Sequence, residues 1–361
     1  MRPVKGYNEF SVSMCKLPAH IFSKEKDMKQ SIADRLTLFS DNSQAARTAF
    51  RWSGGGSQQG RLISLIYALE GKSLDPAAVR NAHDIIKDKT GMFSKFRGIT
   101  SLCVAAKLSL NNDPQQLFTD TLAAHDRLRQ AKFPNSDQLA IAAFLVASGT
   151  ERHNFKKTAD RAMQFSNGMK NRLRFLAGQD NSILAAMLGL SNMIPSVGIE
   201  RIEQLYQQLK PELRRAGSNS VETLSQILAL GGTSDEALDC LLSLNQTLRA
   251  QRIRLDKQFT LPALGTLSLL SVDATTLADD ILEAQSYLRT QRGLRTLSGQ
   301  ELLLFTTAII SSVYIEECMD SADNAVLATA SASIVNIIIA QQIMMMIIIM
   351  AAASSAAAAS A

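Results

Sequence analysis

The chain has 361 residues, with 38 Lys and Arg against 33 Asp and Glu, and is 46% hydrophobic but only 6% aromatic. That balance excludes disorder throughout and fits a soluble globular class, as two or three ordinary domains or as one continuous repeat array. Its four cysteines, Cys15, Cys103, Cys240 and Cys318, are far apart and form no C-x-x-C pair, so neither a disulfide framework nor a zinc site is indicated and a reducing, cytoplasmic home is expected.

In chain order, residues 1–27 carry scattered lysines and lack the apolar run of a secretory signal. They read as a loose extension or a wrongly assigned start, with the folded part beginning at Met28. From there the chain alternates two kinds of helix. An apolar residue followed by a base recurs at Ile86-Lys87, Leu128-Arg129, Met169-Lys170, Leu209-Lys210, Leu248-Arg249 and Leu288-Arg289, at intervals of 39 to 42 residues. Helix-start signals keep the same step: Asp75-Pro76, Asp113-Pro114, Ser196, Ser234 and Asp273. Between these marks lie the more apolar segments Leu62 to Leu69, Ile99 to Leu108, Leu139 to Ala147, Ile183 to Leu190, Val221 to Leu230, Leu261 to Leu270 and Glu301 to Ser311. Asn219 with Glu222 and Ser298 with Glu301 have capping-box spacing, and Ser136 and Asp180 suit the start of their helices.

Each unit therefore reads as an amphipathic helix A ending in cations, a loop, and an apolar helix B. The segment from Ile99 is echoed by the one from Val221, as a tandem duplication would produce. The expected fold is all-α, with stacked αα-hairpins of about 40 residues spanning 28–323, as an open α-solenoid in preference to a closed α/α toroid. Residues 324–361 carry no charge, and Ile334 to Met350 is apolar apart from Asn336, Gln341 and Gln342. A helix apolar all round belongs in a core or in lipid. Without flanking Lys or Arg, a buried plug or final layer is preferred to a membrane anchor.

The wording of KDKTGMFSKFRG from Lys87, FLAGQDNSILAAMLGLS from Phe175, IRLDKQFTLPALG from Ile253 and NIIIAQQ from Asn336 resembles an uncharacterised bacterial family, domain of unknown function 4003. The resemblance covers roughly Met28 to the C-terminus. It implies a cytoplasmic bacterial protein of unknown role and brings no catalytic residues.

Catalytic signatures are sparse. His20, His83, His125 and His153 fall in different units, no H-E-x-x-H, phosphate loop or G-x-S-x-G elbow occurs, and Gly54 to Gly56 opens onto no lysine. No catalytic residue, metal or cofactor is expected. Two surface patterns remain. The first is a basic edge of helix A ends, Lys87, Arg129, Lys170, Arg172, Lys210, Arg249, Arg252 and Arg289, interleaved with Phe93, Phe96, Phe133 and Phe175. Stacking would align these cations for an acidic protein or RNA, although cations at helix C-termini also serve the helix dipole. The second is a set of polar residues near helix B starts, Arg97, Gln179, Asp180, Asn181, Asn219 and Glu301, which would line the mouth of a closed toroid if the protein were an enzyme. A binding or scaffold module is the preferred expectation, ahead of that enzyme and of a membrane-associated protein held by Ile334 to Met350.

Overall fold

The computed structural model describes residues 28–50, 58–98, 101–172, 180–214, 216–231, 236–257, 259–270, 272–320, 345 and 348. Among them the fold is all helical, with no strand, and comprises fourteen α-helices and two 3-10 turns, Lys95–Arg97 and Arg152–Asn154. The helices fall into two layers.

Seven outer helices are α1 (Gln30–Ala49), α3 (Pro76–Lys89), α5 (Pro114–Gln130), α7 (Phe155–Arg172), α9 (Pro195–Glu212), α11 (Glu236–Ala250) and α13 (Ala274–Thr290). Each buries one stripe at helical spacing, such as Val79, Ala82 and Ile86 in α3 or Leu277, Ala278, Ile281, Ala284 and Leu288 in α13. Asp75, Asp113 and Asp273 cap their helices as their spacing predicts: the Asp75 carboxylate accepts from Ala77 and Ala78, that of Asp113 from Gln116, and that of Asp273 from Thr275 and Thr276. Ser196 does not cap. Helix α9 begins one residue earlier, with Pro195 in its first turn and Ile194 at the cap position. Ser234 lies outside the described residues.

The seven inner helices are α2 (Gln58–Leu69), α4 (Ser101–Ser109), α6 (Asp137–Gly149), α8 (Ser182–Leu190), α10 (Ser218–Leu230), α12 (Leu261–Ser268) and α14 (Gly299–Asp320). Three of them, α6, α10 and α12, have long stretches with no wet side. All residues from Leu139 to Val146, from Ser220 to Leu230 and from Leu261 to Leu270 are buried, and eight or more consecutive residues at 100° each go round a helix at least twice. Ser298 and Glu301 form the reciprocal box expected at the start of α14: the Ser298 backbone donates to Oε2 of Glu301 at 3.2 Å and the Glu301 backbone to Oγ of Ser298 at 3.2 Å. Asn219 and Glu222 do not form one. Helix α10 starts at Ser218 with Gly217 at its cap position, which places Glu222 past the first turn in the core.

Each outer helix lies against the inner helix that follows it, and successive hairpins are joined by outer contacts (α1 with α3, α3 with α5, α5 with α7, α7 with α9, α11 with α13) or inner contacts (α2 with α4, α6 with α8, α10 with α12, α12 with α14). Helices α2 and α4 meet nearly in register. Tyr67 and Ser109, 42 positions apart, share a hydrogen bond of 2.6 Å, and Lys107 pairs with Glu70, 37 positions away, at 2.8 Å. Outer neighbours meet with a lean: Arg80 donates to the Ala49 carbonyl, 31 positions back, at 2.8 Å, and Arg172 pairs with Glu203, 31 ahead. The C-terminal end of α1 thus rests on the start of α3, and that of α7 on α9.

The last two helices pack against the first two. Phe39 meets Phe305 edge to face at 5.5 Å, Lys29 pairs with Glu317 at 2.7 Å, Arg35 with Glu316 at 2.6 Å, and Arg61 with Glu301 at 3.3 Å. Helix α14 is the apolar C-terminal helix of the described residues. It is long and apolar enough to cross a membrane, yet its residues from Leu304 to Ile315 are buried inside the protein, as in the core helix of a soluble fold. The segment Ile334 to Met350 lies outside the described residues except for Met345 and Ile348, which are helical and buried.

Candidate functional site

Within each hairpin the outer helix runs to the end from which the inner helix starts, so the loops joining them gather at one rim. Side chains cross between these loops: Lys95 reaches Asp137 at the start of α6 at 3.8 Å, and Arg47 at the end of α1 stands against Gly293 in the loop between α13 and α14. Every outer helix brings cations here in its last turn: Arg47, Lys87 with Lys89, Arg127 with Arg129, Lys170 with Arg172, Lys210, Arg249 and Arg289. The helix dipole favours positive charge at that end.

Most members of the basic edge are engaged locally. Lys87 pairs with Asp84 at 3.0 Å, Arg172 with Glu203, and Nε of Arg249 with Asp256 at 2.9 Å. Arg129 donates to the Phe133 carbonyl and Lys210 to that of Ala216, closing the turns that follow their helices. Arg252 does structural work through its backbone. Its φ of +63° matches the +78° of Lys132, and in both loops the next residue, Ile253 or Phe133, is buried while its N–H bonds back to Leu248 or Leu128. This is a left-handed helix stop sealed by an apolar contact, built with a cation where glycine is usual. The side chains of Lys170, Arg252 and Arg289 form no ion pair among the described residues; Arg252 and Arg289 are exposed and Lys170 is half-buried.

The phenylalanines divide. Phe96 is buried edge-on to Phe118 at 5.5 Å and to His125 at 5.4 Å, and Phe133 is buried as well. Neither offers a stacking face to a base. Phe93 is 96% exposed beside Met92 at 78%, at the tip of the loop between α3 and α4, and Phe259 is partly exposed on the same rim. Phe175 lies outside the described residues. Sequence reasoning named Phe93 but passed over Met92, whose neighbour Gly91 signals the turn that lifts both into solvent.

The described residues assigned to a polar pocket are engaged separately, each at its own turn or helix start. Arg97 caps the end of α3, donating to the carbonyls of Lys87 and Thr90. Asp180 accepts from the Ser182 backbone at 2.9 Å, and Asn181, buried, accepts from the Ser166 hydroxyl at 2.8 Å. Glu301 serves its capping box and pairs with Arg61, and the Asn219 carbonyl accepts from Thr223. Gln179 lies outside the described residues. Of the histidines, burial holds both His83 and His125 below the ordinary imidazole value, with Lys87 acting in the same sense on His83. Burial also pushes the Cys103 thiol up to about 12, which leaves it unreactive.

One polar pair escaped the sequence reading. Glu222 and Gln226, one turn apart on α10, are both buried, and Nε2 of Gln226 donates to Oε1 of Glu222. Burial alone pushes the Glu222 carboxyl up to about 8, so it carries its proton at neutral pH. Oε1 of Gln226 has no hydrogen-bond partner among the described residues. The signal was available: in VETLSQILAL the polar residues sit on a segment apolar on all other sides, where a wet stripe has no room.

No curated protein and no solved structure matches the chain. A family model does, over residues 42–344, most of the chain's length, and its description is Protein of unknown function (DUF4003). With that match over the helices just described, the chain belongs to the DUF4003 family.

Proposed function

We propose that the protein is a non-catalytic binding or scaffold module, a closed α/α ring of seven repeated helical hairpins whose loop rim receives an acidic protein partner in the cytoplasm. Closure is supported over the open array by the contacts of α1 with α13 and α14. These include ion pairs at Lys29, Arg35 and Arg61 and an aromatic contact at Phe39. The repeat reading is supported by inner contacts that join residues 37 and 42 positions apart.

The observation that carries the function is the gathering of outer-helix cations at a single rim, with Lys170, Arg252 and Arg289 outside any ion pair among the described residues. An acidic protein suits this rim better than RNA, because two of the phenylalanines that would stack on bases, Phe96 and Phe133, are spent in the core. The exposed Met92 and Phe93 add apolar contact to the charge.

The test is binding of a fluorescent polyglutamate peptide to the full chain over a salt series. The variant K170E/R252E/R289E should lose about tenfold or more in affinity and show a shallower salt dependence. Lys156→Glu, on an outer-helix start away from the rim, should bind as the parent does. Unchanged binding by the triple variant, or tighter binding of a poly-U strand than of the peptide, overturns the assignment.

A further inference from the structure

The cations of the loop rim are not engaged evenly. From α3 to α9 most are held by neighbours: Lys87 by Asp84, Lys95 by Asp137, Arg172 by Glu203, Lys89 by Thr119 and the Gln115 carbonyl, and Lys210 by the Ala216 carbonyl. The last two hairpins differ. Between Arg249 and Thr260 the one acid is Asp256, already paired with Arg249 and Arg254, and between Arg289 and Ser298 there is none. Arg252, Lys257, Arg289, Arg292 and Arg295 are exposed, and among the described residues their side chains make no ion pair or hydrogen bond.

A sixth cation comes from the far end of the chain. Helix α1 packs along α13, where Thr37 and Tyr287 share a hydrogen bond of 2.9 Å and Ser40 donates to Gln291 at 3.3 Å. The same line of contact carries Arg47 to the loop after α13. There its guanidinium lies over Gly293, whose φ of +86° and missing side chain leave the room, since a Cβ would collide with Nη1 of Arg47. Arg47 is exposed and likewise makes no ion pair among the described residues. Two acids border the group, Glu301, which pairs with Arg61, and the exposed Asp41 of α1, so the six cations are not balanced.

These six stand on three successive loop ends, those of α11, α13 and α1. Packed helices lie about 8–10 Å apart, so two steps make an arc of roughly 16–20 Å. A compact anion engages one loop end at a time. An extended chain, rising about 3.3 Å per residue, crosses all three within about six residues. Arginine predominates in the arc, and its guanidinium fork grips a carboxylate by both oxygens. Phe259, 43% exposed in the loop after α11, adds an apolar contact at one end.

We infer that this arc, from the loop after α11 across the loop after α13 to Arg47, is where the acidic partner binds, through an extended acidic segment of about six residues. The inference rests on the rim reading proposed above and narrows it to the last two hairpins and the end of α1. Because Arg47 arrives from α1, the site is complete only while α1 is packed on α13.

The experiment is fluorescence anisotropy of labelled oligoglutamate peptides of increasing length, titrated with the full chain. Affinity should climb steeply up to about six residues and change little beyond. The variant R252E/R292E/R295E should weaken binding of hexaglutamate by about tenfold or more, and Arg47→Glu by about threefold. R127E/K132E/K170E, the same change of charge elsewhere on the rim, should stay within about twofold of the parent. Arg47→Glu lies on a separate helix, so it tests the arc even where a loop variant fails to fold. Equal losses in the two triple variants overturn the arc and leave the rim reading standing, whereas no loss in either overturns both. Inorganic phosphate competing as well as unlabelled hexaglutamate overturns the extended ligand.

Discussion

Helix α5 fully buries only Phe118, Thr121, Ala124 and Leu128, about one residue per turn, and its other residues are half-buried or exposed; its partner α6 buries every residue from Leu139 to Val146. The same contrast separates α9 from α10 and α11 from α12. Outer helices are held by a stripe and tuned at their ends by caps and charges. Inner helices are held on all sides, so a substitution there meets packed atoms whichever way it points. The two layers should answer mutation on different scales.

The largest difference is expected from truncating one large side chain in each layer. Phe305→Ala empties space beside Phe39 in the inner layer and should cost about 3–5 kcal/mol, whereas Leu282→Ala, on the exposed side of α13, should cost less than about 0.5 kcal/mol. Urea unfolding of the two variants measures the gap, and similar losses would break the layered picture.

The next effect sharpens it by charge. Folding raises the Glu222 carboxyl from its ordinary value of 4.5 to about 8, with burial the whole cause. The folded protein therefore keeps a proton that the unfolded chain has already released over that interval. The stability tied to this group is fully present below the unfolded value and is lost as pH rises through about 8. Glu222→Gln should leave acid stability near that of the parent and gain on the order of 2 kcal/mol in mildly alkaline buffer. Melting curves of both proteins across that pH interval should diverge as pH rises, and parallel curves would mean that the carboxyl is solvated.

The smallest effect belongs to the outer layer's ends. Arg252→Gly relieves a left-handed backbone position and should stabilise the protein by on the order of 1 kcal/mol, with Lys132→Gly behaving alike. A loss of stability in either variant would show that the side chain, rather than the turn, matters there.

What the sequence reveals follows the same division. Outer helices announce themselves by a 3.6-residue stripe, an aspartate cap and a basic end, and the marks at Asp75, Asp113 and Asp273 fall where the helices begin. Inner helices are legible only as apolar composition, so their polar members mislead. Glu222 reads as a cap partner from its spacing to Asn219, yet α10 begins at Ser218 and carries it into the core. For the candidate site, helix A ends are legible because cations recur every 39 to 42 residues, but their employment is not. Whether Arg129 faces a partner or its own turn depends on the Phe133 carbonyl to which it donates, and no spacing encodes that. Likewise Phe96 and Phe93 look equivalent in KDKTGMFSKFRG, and only tertiary contact with Phe118 and His125 tells them apart.

The contacts between α1 and the pair α13 and α14 join residues 250 to 288 positions apart in the chain. A linear stack of hairpins can nucleate anywhere, grow outward and fray at its tips, because each contact is local in sequence. Here nearly the whole polypeptide must be synthesised before Lys29 can find Glu317, and that encounter carries the entropy of a very long loop. The body should therefore fold late and unfold as one unit, and in the closed ring proposed above adding or deleting a hairpin would alter the circumference rather than merely the length.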